Sequence, residues 1–153
     1  MIAKSLRAVV AALDEAKVRY FVVGPLAVAA HGCMPFTDNL DLRLVMEGAA
    51  DFEAMYKRVE WFALEAGVVV PVCGYGDLVR LKRRSGRSDY LVDLDSLEKV
   101  RRPRPAYDPW YECTFEGNEL WKLWRWADLS FGEKIRSLEE SWKVSRMFLE
   151  ARR

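Results

Sequence analysis

The sequence predicts an α/β (α+β) protein in which a mixed β-sheet is flanked by helices and closed by a helical C-terminal cover. Segments rich in β-branched and aromatic residues alternate with segments of helical periodicity over residues 1–100. Residues 101–109 are rich in arginine and proline, as linkers often are, and two helical patterns follow them. We therefore expect residues 1–100 to form the α/β core, and residues 101–153 to form a linker and helices that pack on the same single domain.

The first four elements are indicated by local patterns. Apolar residues at helical spacing predict a helix from Ile2 to Lys17. The β-branched and aromatic run Tyr20–Gly24 predicts a buried strand that ends at its glycine. Pro25 suits the first turn of a short helix, which we expect to include Ala27–His31. Alternating leucines then predict a strand from Leu40 to Val45.

Four further elements complete the expected core. Apolar spacing predicts a helix from Ala50 to Ala66, closed by Gly67. Short apolar runs predict three strands, at Val68–Val72, Leu78–Lys82 and Tyr90–Leu94. Beyond the linker, a helix is predicted over residues 118–127. A last helix is predicted to open with the capping box of residues 130–133, a serine followed three residues later by a glutamate.

Composition limits the function classes. Lys and Arg number 24 and Asp and Glu number 23, so a net charge of +1 gives no global attraction to nucleic acid or anionic membranes. No apolar run reaches the ~20 residues that cross a bilayer, and we expect a cytoplasmic protein. The three cysteines, Cys33, Cys73 and Cys113, are widely spaced and accompany a single histidine, so we expect reduced thiols and not a structural zinc site.

One ungapped segment, from Phe21 to Leu42, contains a motif. An apolar strand ends at Gly24, a short helix ends in His31-Gly32, and Thr37 precedes Asp41 by four residues. This order resembles the nucleotidyltransferase-fold superfamily, in particular the minimal nucleotidyltransferases and their bacterial toxin and abortive-infection relatives. The resemblance implies a mixed sheet and a third acidic strand, for which residues 91–94 are the candidate.

The resemblance also implies a chemistry. In this superfamily three carboxylates hold Mg²⁺, which bridges a nucleoside triphosphate and assists transfer of a nucleoside monophosphate to a hydroxyl acceptor. It implies catalytic and metal-ligating positions at Asp41, Asp93 and Asn39, and nucleotide-binding positions at Gly24, Pro25 and Thr37.

Three positions depart from the family pattern. Asn39 replaces the first carboxylate of the acidic pair, so it brings an oxygen without a charge. Pro25 replaces a second glycine and has no N–H for a phosphate, and Pro35 replaces an arginine. Asp38 is adjacent to this pair, but on a strand it points to the opposite face from Asp41.

Two functions therefore stay open. The first is weak, Mg²⁺-dependent transfer from a nucleoside triphosphate. The second is a degenerate binding or regulatory module, such as one member of a toxin–antitoxin-like pair, with a protein partner or a second copy as its ligand. The basic segment with Arg83, Arg84 and Arg87 is expected to be a solvated turn between two strands, and contact with nucleic acid is the alternative.

Overall fold

The computed structural model describes residues 2–35 and 41–151, and within these ranges it contains eight helices and four strands. In chain order they are α1 (Ile2–Glu15), β1 (Tyr20–Val23), α2 (Pro25–Ala30), β2 (Arg43–Met46), α3 (Phe52–Tyr56), β3 (Glu60–Glu65), β4 (Val68–Val72), α4 (Tyr75–Ser85), α5 (Ser88–Arg101), α6 (Pro109–Glu112), α7 (Phe115–Asp128) and α8 (Phe131–Ala151).

The four strands form one mixed sheet in the order β2-β1-β4-β3. Strand β1 is antiparallel to β2 and parallel to β4, while β3 and β4 form an antiparallel hairpin. The predicted mixed α/β fold with a helical C-terminal region is confirmed. Helix α8 contacts α1, α2 and β3, so the last helix packs on elements of the first hundred residues.

The predicted helix from Ala50 to Ala66 is wrong over its second half. Only Phe52–Tyr56 is helical, and Glu60–Glu65 is strand β3. Phe62 and Leu64 are two residues apart and point into the protein, which is strand periodicity. Gly67 does not end a helix but makes the turn between β3 and β4, with φ of 77°.

The two strands predicted at Leu78–Lys82 and Tyr90–Leu94 are also wrong, because both segments are helical. Each buries residues four positions apart, Leu78 with Lys82 and Asp93 with Leu97, which is the helical repeat. The basic residues 82–84 form the last turn of α4, where cations interact favourably with the helix dipole. Helix α4 ends at Gly86, which has φ of 62°.

The capping box predicted at the start of the last helix is confirmed. The Ser130 N–H and hydroxyl both donate to Oε2 of Glu133 at 2.7 Å, and the Glu133 N–H donates back to the serine hydroxyl at 3.3 Å. These bonds fix the first turn of α8 against β3, where the Phe131 and Phe62 rings are 5.9 Å apart. Among the described residues, no helix has the length and apolar character that crossing a membrane requires.

Candidate functional site

The turn between β1 and α2 contains Gly24 in a conformation that side chains rarely adopt, with φ of 72° and ψ of −148°. Arg43, on the antiparallel strand β2, pairs with Val23 beside this turn. The Cδ atom of Arg43 is 3.1 Å from the position that a Cβ on Gly24 would occupy. The arginine side chain therefore lies over the turn that the family resemblance assigns to the triphosphate.

Pro25 is the first residue of α2, as predicted, and contributes no N–H. The N–H groups of Ala27 and Val28 donate to the Gly24 carbonyl at 3.1 and 3.2 Å. All six residues of α2 are buried. The start of this helix consequently offers fewer backbone donors than a glycine pair would offer.

Asp41 is exposed and lies two residues before β2, so the observed strand begins later than the predicted one. Two of the other predicted site residues, Asn39 and Thr37, fall in the segment 36–40, outside the described residues, as does Asp38.

Asp93 lies in a setting that the sequence analysis did not predict. It belongs to α5, not to a strand, and its Oδ2 accepts from the Lys82 Nζ of α4 at 2.7 Å. Both side chains are only 4% exposed, and the ammonium also lies 4.0 Å from the centroid of the Tyr90 ring. Within the described ranges no three histidine, cysteine or acidic side chains gather in a metal-binding group.

A second buried carboxylate, Asp77, was missed by sequence reasoning. It accepts two bonds of 2.9 Å from the Arg58 guanidinium and also pairs with Arg80. Asp77 lies in the first turn of α4, where a carboxylate interacts favourably with the helix dipole. This preference is the sequence signal from which a helix starting near Asp77 could have been predicted. The bidentate pair joins the segment after α3 to the start of α4, which is a structural role.

His31 lies at the end of α2, and its Nε2 is 2.8 Å from the Cys73 carbonyl oxygen. A carbonyl only accepts, so Nε2 holds a proton and donates. The imidazole meets the rings of Phe62 and Tyr75 edge-on, with centroids 5.6 and 5.9 Å away. Burial lowers the pKa of His31, which favours the neutral imidazole at neutral pH.

A pocket of about 410 Å³ opens beside this histidine, between α2, β3, and the neighbouring ends of α4, α5, α7 and α8. We call it the His31 pocket. Its charged lining residues are Glu60, Arg101, Arg104 and Lys134. Sequence reasoning missed this pocket because its residues are scattered between positions 30 and 134, and no local spacing connects them.

The fold is expected to lose stability as the pH falls below about 6.5, in part because of His31. Its pKa is lowered by burial, so the unfolded chain binds a proton that the folded chain resists. The contribution of His31 is thus complete above pH ~6.5 and declines below it, by at most about 1.4 kcal/mol per pH unit. Urea unfolding near pH ~5.5 and pH ~7.5 measures the change.

The matched variant is His31→Gln, which keeps a side-chain N–H for Cys73 and does not titrate. The stability difference between the two proteins should grow as the pH is lowered. Glu60, Arg101 and Lys134 also act on the imidazole, and all three are the same in both proteins. An identical pH dependence in wild type and variant would show that His31 is not the titrating group.

A larger open cleft of about 1030 Å³ lies between α5, the segment 102–108, α6 and α7. Phe115 lines it and is 86% exposed. Trp110 of α6 is not a lining residue, but it directly precedes Tyr111, which is, and it is 82% exposed. The Tyr107 and Trp121 rings meet edge-on with centroids 5.0 Å apart. We call this region the aromatic cleft. Such exposed aromatic surface is typical of an interaction site.

Comparisons with protein-family models, with curated proteins and with solved structures find no match for this chain. The nucleotidyltransferase resemblance therefore depends on the motif in residues 21–42 alone.

Proposed function

We propose that this chain is a catalytically silent relative of the nucleotidyltransferases that acts as a binding or regulatory module, such as one member of a toxin–antitoxin-like pair. The observation that carries the proposal is the buried ion pair between Lys82 and Asp93. A carboxylate that is already neutralised by an ammonium 2.7 Å away is a poor ligand for a divalent cation.

The charge of the implied metal site supports the same conclusion. Mg²⁺ requires oxygen ligands, and the number of charged ligands is one of the properties that set its affinity. Of the three implied positions, Asn39 is neutral and Asp93 is paired with Lys82, so at most one full carboxylate charge, that of Asp41, remains for a metal ion. A single carboxylate is a weak basis for holding both a metal ion and a triphosphate.

The aromatic cleft supports binding to a protein partner or to a second copy of the chain. Large aromatic side chains such as Trp110 and Phe115 contribute strongly to protein interfaces when they are buried by a partner. This cleft is lined by α5, the segment 102–108, α6 and α7, and it does not include the Gly24 turn. A complex formed there is expected to be unaffected by Asp41→Ala.

A second candidate function is residual nucleotidyl transfer, in which Asp41 and Asn39 would hold Mg²⁺ for a nucleoside triphosphate. The observation that favours it is the Gly24 turn, which has φ of 72° and the Arg43 side chain beside it. An arginine at that place could contact phosphate oxygens of the nucleotide.

Asn39→Asp is expected to strengthen binding of a Mg²⁺–nucleoside triphosphate complex by about tenfold or more, because it restores a charged ligand. Calorimetric titration with each of the four common nucleoside triphosphates measures this, beside an assay for pyrophosphate release. Wild type is expected to bind weakly and to release no pyrophosphate.

Asn118→Asp is the control, because it adds the same charge at an exposed position on α7. It is expected to leave nucleotide binding unchanged. Mg²⁺-dependent pyrophosphate release by wild type, abolished by Asp41→Ala, would contradict the silent module and support the transferase.

A further inference from the structure

The His31 pocket combines two cationic side chains that lack a carboxylate partner among the described residues. Arg101 is the last residue of α5, and its guanidinium carbon lies 4.0 Å from the centroid of the Tyr75 ring. The ring holds the guanidinium by a cation–π contact but accepts none of its N–H bonds. Arg101 therefore presents a fixed, planar set of donors at the pocket.

Lys134 is the second cation, and its side chain is almost completely buried, with 4% of the residue exposed. Its ammonium donates to the Ala127 carbonyl at 3.0 Å, and no carboxylate of the described residues forms an ion pair with it. Two of its three N–H groups have no protein acceptor there. Burial lowers the pKa of Lys134, and an anion beside it would offset this cost.

The other charges of the pocket leave this excess in place. Arg104 is already paired with Asp128 through two bonds of 2.8 and 2.6 Å. Glu60 accepts from the Tyr75 backbone N–H at 3.2 Å and stands as the one carboxylate in the described lining. Asp128 and Glu133 attract the Lys134 ammonium without forming an ion pair with it. Within the described lining, two cations without an ion-pair partner face one carboxylate, so the pocket favours a ligand with negative charge at one end and hydrogen-bond donors at the other.

We propose that the His31 pocket binds the phosphate group of a small phosphorylated molecule through Arg101 and Lys134. Phosphate matches the fork of an arginine, which can donate two parallel bonds, and a lysine adds a point charge. Hydroxyl groups of the same ligand can donate to Glu60. The pocket volume of about 410 Å³ fits a ligand of sugar-phosphate size.

His31 provides a direct readout, since it is the only histidine of the chain. In protein without a histidine tag, the imidazole proton resonances are followed by NMR while ribose 5-phosphate is added. A saturable shift of these resonances is expected, and ribose without phosphate is expected to cause none. Inorganic phosphate in a parallel titration shows whether the pocket takes the free ion as well as the ester.

Arg101→Gln is expected to weaken ribose 5-phosphate binding by about tenfold or more, because a charge-assisted bidentate contact is lost. The matched control is Arg102→Gln, the next residue, which is exposed and paired with Glu98. It should change the affinity by less than about twofold. Arg101 is exposed enough at the pocket rim for its replacement to leave the fold intact.

Lys134→Met is expected to remove binding as well, with Lys143→Met on the exposed part of α8 as its control. Binding is expected to survive Asp41→Ala and Arg43→Gln, so this proposal and the proposed function fail separately. Absence of a saturable shift with both phosphate probes at millimolar concentration would overturn the proposal. Equal affinity in wild type and Arg101→Gln would overturn it too.

Discussion

Gly132→Ala is expected to destabilise the protein by about 3 kcal/mol, the upper end of the usual cost of overpacking. Gly132 is the second residue of α8, and a Cβ at this position would lie 2.0 Å from the Leu64 carbonyl oxygen. That oxygen belongs to the backbone of β3, which is paired with β4 and cannot turn aside as a flexible side chain would. Relief therefore requires a shift of the helix away from the sheet.

Urea denaturation measures this loss through the midpoint at constant slope. Gly76→Ala is the control, because Gly76 is likewise the second residue of its helix, α4, and no atom lies within 4 Å of its added Cβ. The control is expected to be neutral or stabilising by up to about 1 kcal/mol. Similar midpoints for the two variants would contradict the close contact between α8 and β3.

The first part of the fold could be predicted from the sequence because its signals are local. Gly24 ends β1 in a conformation that favours glycine, and Pro25 begins α2 where its missing N–H has no cost. At the other end of the chain, the capping box of Ser130 and Glu133 likewise predicts the start of α8. Each signal is a property of a few adjacent residues, so the secondary structure that it predicts does not depend on tertiary contacts.

The middle of the fold was mispredicted because short apolar runs fit both periodicities. Glu60–Glu65 continues the spacing of α3 but forms a strand, since β4 supplies backbone partners that the local sequence does not show. In α4 and α5 the feature that the sequence does not show is a buried polar pair, Lys82 with Asp93, eleven residues apart. Local patterns treat both residues as surface groups, whereas the fold buries them together.

The candidate site likewise has one part that the sequence predicts and one part that it does not. The Gly24 turn and Asp41 both come from an ungapped motif. The sequence correctly predicted Gly24 at the end of β1, whereas Asp41, predicted inside a strand from Leu40, lies two residues before β2. The His31 pocket is lined by residues of six helices and strands, and the excess of positive charge in it arises only when the fold brings these residues together. The sequence identifies Arg101 and Lys134 as basic, but it does not show that neither forms an ion pair with a carboxylate of the described residues.

Lys82→Met is expected to destabilise the protein by about 3–5 kcal/mol, because the Asp93 carboxylate loses the ammonium that compensates its burial. The double variant Lys82→Met with Asp93→Leu is expected to recover much of this loss, since neither charge is then left buried. Urea unfolding of wild type, the single variant and the double variant measures the coupling. Lys122→Met, which breaks an exposed pair with Glu119, should stay close to wild type.

The same variant decides whether Asp93 is structural or a metal ligand. If Asp93 were accessible to Mg²⁺, removing Lys82 would free the carboxylate for the ion, and millimolar Mg²⁺ would then raise the unfolding midpoint of Lys82→Met. A structural Asp93 is expected to gain nothing from the ion, because Mg²⁺ keeps most of its bound water and enters buried sites reluctantly. Mg²⁺ rescue of Lys82→Met, absent from the double variant, would remove the main support for a silent module. An equal response of the two variants to Mg²⁺ would leave Lys82 and Asp93 as a pair that holds α4 against α5.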